Sequence, residues 1–222
     1  MPSDLSVQRP LLGERARRPA LVIIVLAAIV IMVLGLHYAH HGLPGHLDRY
    51  LDASIGTRLS PERSVTRVLI RLGDPPQAAL LIALVAGAAA AARRWSAVLL
   101  TIIGTLGAVT ITEVILKPLI DRHDGAALSY PSGHTTAVVS IAIAVTILLA
   151  GAPWPRSLAV RFVISLAALA TAGAAAISLI ALQVHYATDT IAGTCVALAT
   201  MLTVALTLDA LSAHRARSAT GT

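Results

Sequence analysis

At 222 residues, 56% of them hydrophobic and 13% charged, the chain is too apolar for a water-soluble domain of its length, and most of its surface has to face lipid. A single cysteine, Cys195, excludes a disulfide framework and a cysteine-ligated metal cluster. The net charge of +6 comes from arginines scattered among apolar runs, which excludes the continuous basic face that nucleic-acid binding requires.

In chain order, residues 1–19 read as an N-terminal tail, 20–211 as one membrane domain and 212–222 as a C-terminal tail. Within the domain six apolar runs stand out: Ala20–Leu36, Gln77–Ala92, Ser96–Leu116, Thr135–Ala150, Phe162–Val184 and Thr190–Leu208. A helix needs about 20 residues, or as few as ~17, to cross a hydrocarbon core. The predicted fold is therefore all-α, a six-span transmembrane helix bundle. The second and fourth runs are short, and Leu72, Gly73 and Trp154 are expected to extend them. The first run ends in His37, Tyr38 and His40 with no small-residue cleavage site, so it reads as a retained span and not as a signal peptide. Alanine-rich stretches at 86–92 and 172–176 mark faces where helices approach closely.

Between the first two runs, Gly42–Pro76 is too charged to enter lipid. Arg63, Arg67 and Arg71 recur at helical spacing, with Val65, Val68, Leu69 and Leu72 on the other face, the pattern of an amphipathic interfacial segment. A basic rim collecting anionic headgroups and a merely solvated face are equal readings of it.

Sorting span ends by parity places ten basic residues on one side (Arg9, Arg15, Arg17, Arg18, Arg93, Arg94, Arg156, Arg161, Arg215, Arg217) against the acids Asp4, Glu14 and Asp209. The opposite side carries Arg49, Arg58, Arg63, Arg67, Arg71, Lys117 and Arg122 against eight acids from Asp48 to Asp189. The excess of basic residues at cytoplasmic span ends puts both termini in the cytoplasm. Arginine supplies 16 of the 17 basic residues, a composition that points to a GC-rich, bacterial source and hence to a plasma membrane.

The same parity gathers three loops on the outer face. Lys117 and Arg122 follow the third run, Pro131-Ser132-Gly133-His134 opens the fourth, and His185 and Asp189 lie between the last two. Ser132 and Gly133 precede a helix whose first N–H groups lack partners, which makes a phosphate seat. His185 and Asp189, four apart, share one face if helical, so the carboxylate can fix the imidazole tautomer and leave the other nitrogen to attack. His134 is then available to protonate a departing alkoxide, and Lys117 and Arg122 to bind phosphoryl oxygens. The histidines His37, His40, His41 and His46 read as structural, with a metal site among them as the minor alternative.

Lys117, Tyr130-Pro131-Ser132-Gly133-His134, Ser178 and His185-Tyr186-Ala187-Thr188-Asp189 together resemble the three signatures of the type 2 phosphatidic acid phosphatase superfamily. The resemblance implies a membrane lipid-phosphate phosphatase that uses no metal and no cofactor. It implies that His185 is transiently phosphorylated, that His134 protonates the leaving group and that water resolves the intermediate. In the usual first signature an Arg-Pro pair follows the lysine, and here those places hold Asp124 and Gly125; in the third, Ser178 is followed by Leu179 where arginine is usual. Two phosphate-binding arginines of the pattern are thus absent, which keeps open a lipid phosphotransferase of the same fold, or a weakly active lipid-phosphate-binding protein, as alternatives to the hydrolase. The expected partners are a lipid phosphate and membrane lipids.

Overall fold

A computed structural model describes residues 10–59, 63–152 and 155–220. Asp4, Arg9, Trp154 and the side chains of Arg58 and Arg63, used above for topology, span length and helix patterning, lie outside the described residues.

The architecture is an all-α bundle. Helix α1 (Glu14–Tyr38) is followed by two shorter helices, α2 (His46–Leu59) and α3 (Arg63–Ile70), and by α4 (Pro75–Ala91). The third apolar run is one long helix, Trp95–Ile120. Its α-helical pieces α5 (Trp95–Leu99), α6 (Thr105–Thr110) and α7 (Lys117–Ile120) are joined by π-helical turns at Leu100–Gly104 and Ile111–Leu116. A two-residue antiparallel hairpin, β1 (His123–Asp124) with β2 (Ala127–Leu128), pairs His123 with Leu128. Then come α8 (Gly133–Gly151), α9 (Leu158–Ala181) and α10 (Ala187–Thr220).

Five of these helices are long and apolar enough to span a membrane, and the number is six if the bent pair Ser64–Gly73 and Pro75–Ala91 counts as one span. The bend is 67°. It falls where Asp74 adopts an extended conformation (ψ 145°) ahead of Pro75, because the residue before a proline is disfavoured from the helical region. The charged segment after α1 is indeed helical. In α3, Val65 and Val68 are exposed while Leu69, with Leu72 after it, packs on the core.

Helix α8 is central. Every residue from Thr135 to Ala144 is buried, packed between α9 and α10 with α4 and α6 on its other flank. The core beside it is built from small side chains, with Ala89, Ala197 and Ala205 wholly covered and Leu100 and Met201 filling the gaps between them. Small residues let helices approach closely where lipid supplies no hydrophobic drive. By contrast, Leu21, Val22, Val25 and Leu26 of α1 are more than half exposed, the side chains that a bilayer would solvate. The N-terminal stretch is tied down at the far end of the bundle, where Leu11 and Leu12 donate their N–H groups to Asp209 of α10 at 2.7 and 2.9 Å.

Candidate active site

Three chain segments meet at one end of the bundle, and backbone and threonine hydroxyl bonds hold them together. Ser132 N–H donates to the Asp189 carbonyl at 3.0 Å, joining the start of α8 to the start of α10. One turn further in, Thr136 Oγ1 reaches the Gly193 carbonyl at 3.2 Å and lies 3.1 Å from Thr112 Oγ1, which brings in the third span. Ser132 caps α8, accepting from Thr135 N–H at 3.3 Å. The Tyr130–Pro131 peptide before it is cis.

His185 precedes α10 and is nine-tenths buried. Its Nδ1 lies 3.6 Å from Asp189 Oδ2, beyond a good hydrogen bond, and is a buried nitrogen with no hydrogen-bond partner. Asp189 is fully buried and its oxygens serve other donors too. Oδ2 accepts Tyr186 N–H at 3.3 Å, and Oδ1 accepts Arg122 Nη1 at 2.7 Å. The first of these is the reciprocal half of a helix capping arrangement. The pair therefore meets across the helix start, whereas the spacing predicts a shared helical face.

His134, the second residue of α8, points its ring toward His185, with centroids 6.3 Å apart. Its Nε2 lies 3.0 Å from Asp74 Oδ1. The segment leading into α4 presses close here, since a Cβ on Gly73 would sit 2.9 Å from the His134 Cα, so only glycine fits without a shift. The site thus contains two histidine–aspartate pairs, one per helix start. Asp74 was not among the residues picked out from the sequence. Its signal was there, an acid at the end of the polar segment immediately before Pro75-Pro76, but nothing local ties it to His134 sixty positions on.

Arg122 is wholly buried. Besides Asp189, its Nη1 donates to Thr188 Oγ1 at 2.7 Å, and Nη2 donates to Asp48 Oδ2 at 2.7 Å. The guanidinium carbon lies 3.9 Å from the Tyr38 ring centroid and 4.5 Å from that of Tyr186, an enclosed stack that suits its weakly hydrated plane. The sequence reading expects this arginine to reach over the start of α8; in the structure it lies instead between two carboxylates. Asp48 also takes the N–H and Oγ1 of Thr188, at 3.0 and 2.8 Å. Burial pushes its carboxyl group up, but the bonds from Thr188 and Arg122 outweigh that and leave it below the ordinary carboxylate range. One turn along α2, Asp52 accepts Ala187 N–H at 3.2 Å. Burial dominates there, reinforced by Asp48 and Asp189, and pushes the Asp52 carboxyl group up to about 6. Two acids of α2 therefore dock that helix onto the loop carrying His185.

Lys117 is largely covered and donates to Glu113 Oε2 at 2.9 Å. Asp124, in the place of the usual arginine, accepts Tyr186 Oη at 3.3 Å. Leu179, in the place of the other, is a buried core residue. Of the histidines read as structural, His40 Nδ1 lies 3.3 Å from Asp121 Oδ2. Among the described residues, no three histidine, cysteine or acidic side chains are grouped to hold a metal ion.

Two imidazoles beside carboxylates, each set at a helix start, can supply a nucleophile and a proton donor side by side, and a family match covers part of the arrangement. Residues 112–212 match the family model of the PAP2 superfamily. That stretch contains Lys117, Ser132, Gly133, His134, His185 and Asp189, so the resemblance read from the signatures is borne out. Comparison with curated proteins finds no match. Among solved structures the chain is similar to the first transmembrane PAP2 type phosphatidylglycerolphosphate phosphatase from Bacillus subtilis. The TM-score is 0.63 at 18% sequence identity, covering 83% of this chain and 93% of that one. At that identity the likeness is one of fold, and it spans most of the bundle.

Proposed function

We propose that this PAP2 protein hydrolyses a lipid phosphate or prenyl phosphate through a phosphohistidine on His185. The observation that carries the reading is the placement of two imidazoles, centroids 6.3 Å apart, each beside its own carboxylate and each at the start of a helix. With Nδ1–H turned toward Asp189, the Nε2 lone pair of His185 is free to attack phosphorus. Bonding between Nε2 and phosphorus is matched by cleavage of the phosphorus–alkoxide bond, and the leaving oxygen takes a proton from His134. Asp74, accepting from Nε2 of His134, holds that ring with its other nitrogen toward the leaving group. Water then attacks the phosphohistidine and gives its proton to His134, and free phosphate departs with His185 restored. The first N–H groups of α8 and Lys117 stabilise the charge that develops on the phosphoryl oxygens. Arg122 acts through Asp189 and Thr188 and is a positioning residue in this scheme.

Two sources of lipid phosphate remain equivalent for this chemistry, glycerolipid and polyprenyl. Phosphate release from a panel of both, by purified protein in detergent, tests the reading; a protein inactive on every member would overturn it. A phosphotransferase of the same fold is the second reading, supported by the pairing of both motif-loop cations, Lys117 and Arg122, with carboxylates, and added diacylglycerol or polyprenol as acceptor would reveal it. We place the site on the outer face with both termini cytoplasmic, supported by the arginine bias of span ends. Reporter fusions at either terminus that report a periplasmic location would reverse that placement.

A further inference from the structure

Of the two cations in the motif loops, Arg122 is spent between Asp48 and Asp189. Lys117 is the other, and Glu113 already holds it. The other oxygen of Glu113 lies against the backbone of Gly133, where any Cβ would collide with Oε1. Glycine at this position therefore admits an anion beside the helix start, as expected next to a phosphate seat, and the carboxylate lying there, bonded to Lys117 and 41% exposed, is the protein's own. An ionisable side chain inside an apolar span is expensive and calls for a role. The π-helical turn Ile111–Leu116, a distortion that recurs at functional sites, falls at this residue.

We infer that Glu113 is a specificity-determining residue that stands beside the phosphate seat as a resident anion and selects substrates by phosphoryl charge. An entering phosphoryl group takes Lys117 and the start of α8 only by displacing the Glu113 carboxylate, which stays close by as a repelling charge. A dianionic monoester meets twice the repulsion that a monoanionic phosphoryl group meets, so the site prefers the monoanion. The inference rests on the reading that the phosphoryl group binds between His134 and His185.

Equilibrium binding at pH 8 tests it, with phenyl phosphate as the dianion and methyl phenyl phosphate as the monoanion, on purified protein in lipid nanodiscs. The wild type is expected to bind the monoanion at least tenfold more tightly than the dianion. Glu113→Gln should tighten the dianion at least tenfold and abolish most of the preference, while Glu113→Asp, which keeps the charge, should stay within about threefold of wild type. Dianion binding no tighter in Glu113→Gln than in wild type, or no binding of either probe to any of the three proteins, would overturn the inference. Lipid-phosphate hydrolysis is measured in parallel on the wild type. Absence of turnover with the binding shift intact removes the hydrolase reading alone, and turnover without the shift removes the role of Glu113 alone.

Discussion

Arg122 and Asp189 meet at 2.7 Å through Nη1 and Oδ1, both side chains wholly buried. The second amino group of the guanidinium meets Asp48 at 2.7 Å, so a single arginine ties the interfacial helix α2 to the loop that carries His185. Removing one partner of a buried ion pair leaves uncompensated charge and typically costs about 3–5 kcal/mol. Arg122→Ala is expected to lower the thermal midpoint in detergent sharply, with lost activity following from unfolding. Combining Arg122→Met with Asp48→Asn and Asp189→Asn removes the stranded charges and should recover much of the midpoint, though no turnover.

His185→Ala deletes an imidazole whose Nδ1 has no hydrogen-bond partner, so the fold should survive with its midpoint nearly unchanged. Turnover should fall below detection. Rapid quenching of wild type with substrate should show an acid-labile, base-stable phosphoryl group on the protein, and the same experiment on His185→Ala should show none.

Asp74→Asn keeps a group that can bond to His134 at 3.0 Å but removes the carboxylate that orients the ring toward the leaving group. The loss should be largest where the leaving group needs a proton. Turnover of an alkyl lipid phosphate is expected to drop at least tenfold more than that of an aryl phosphate with a good leaving group. Equal losses on both would leave Asp74 with a purely structural part.

Asp52 titrates at about 6 in the folded protein, above its ordinary value of 3.8. Its protonated form is the one that folding favours. The associated stability is complete below the ordinary value and is lost as pH rises through about 6. Asp48 shifts the other way and acts below the ordinary carboxylate range, outside this window. Asp52→Asn preserves an acceptor for Ala187 N–H, and should raise the thermal midpoint at pH 7.5 while flattening its dependence between pH 4.5 and 7.5. A variant with the same slope as wild type would assign the pH dependence elsewhere.

The division between what sequence and structure reveal follows from the range of the forces involved. The apolar spans and the meeting of His134 with His185 are legible in the chain, because bilayer thickness sets the length of each apolar run and parity of crossings brings their loops to one end. The helix start at Ser132–Gly133 is legible for a similar reason, since capping and unpaired N–H groups are local properties of a helix start. Partner choice among polar side chains is not local. Arg122 had Asp121 and Asp124 as near neighbours, yet it bonds to Asp48 and Asp189, 74 and 67 positions away. The packing of α2 over the loop puts those two carboxylates in the one dry place where a guanidinium has to be matched. Asp74 finds His134 because the bend before Pro75 carries Gly73 against α8. Glu113, hidden in an apolar run where it reads as part of a span, faces Gly133 only once the third span has packed beside α8.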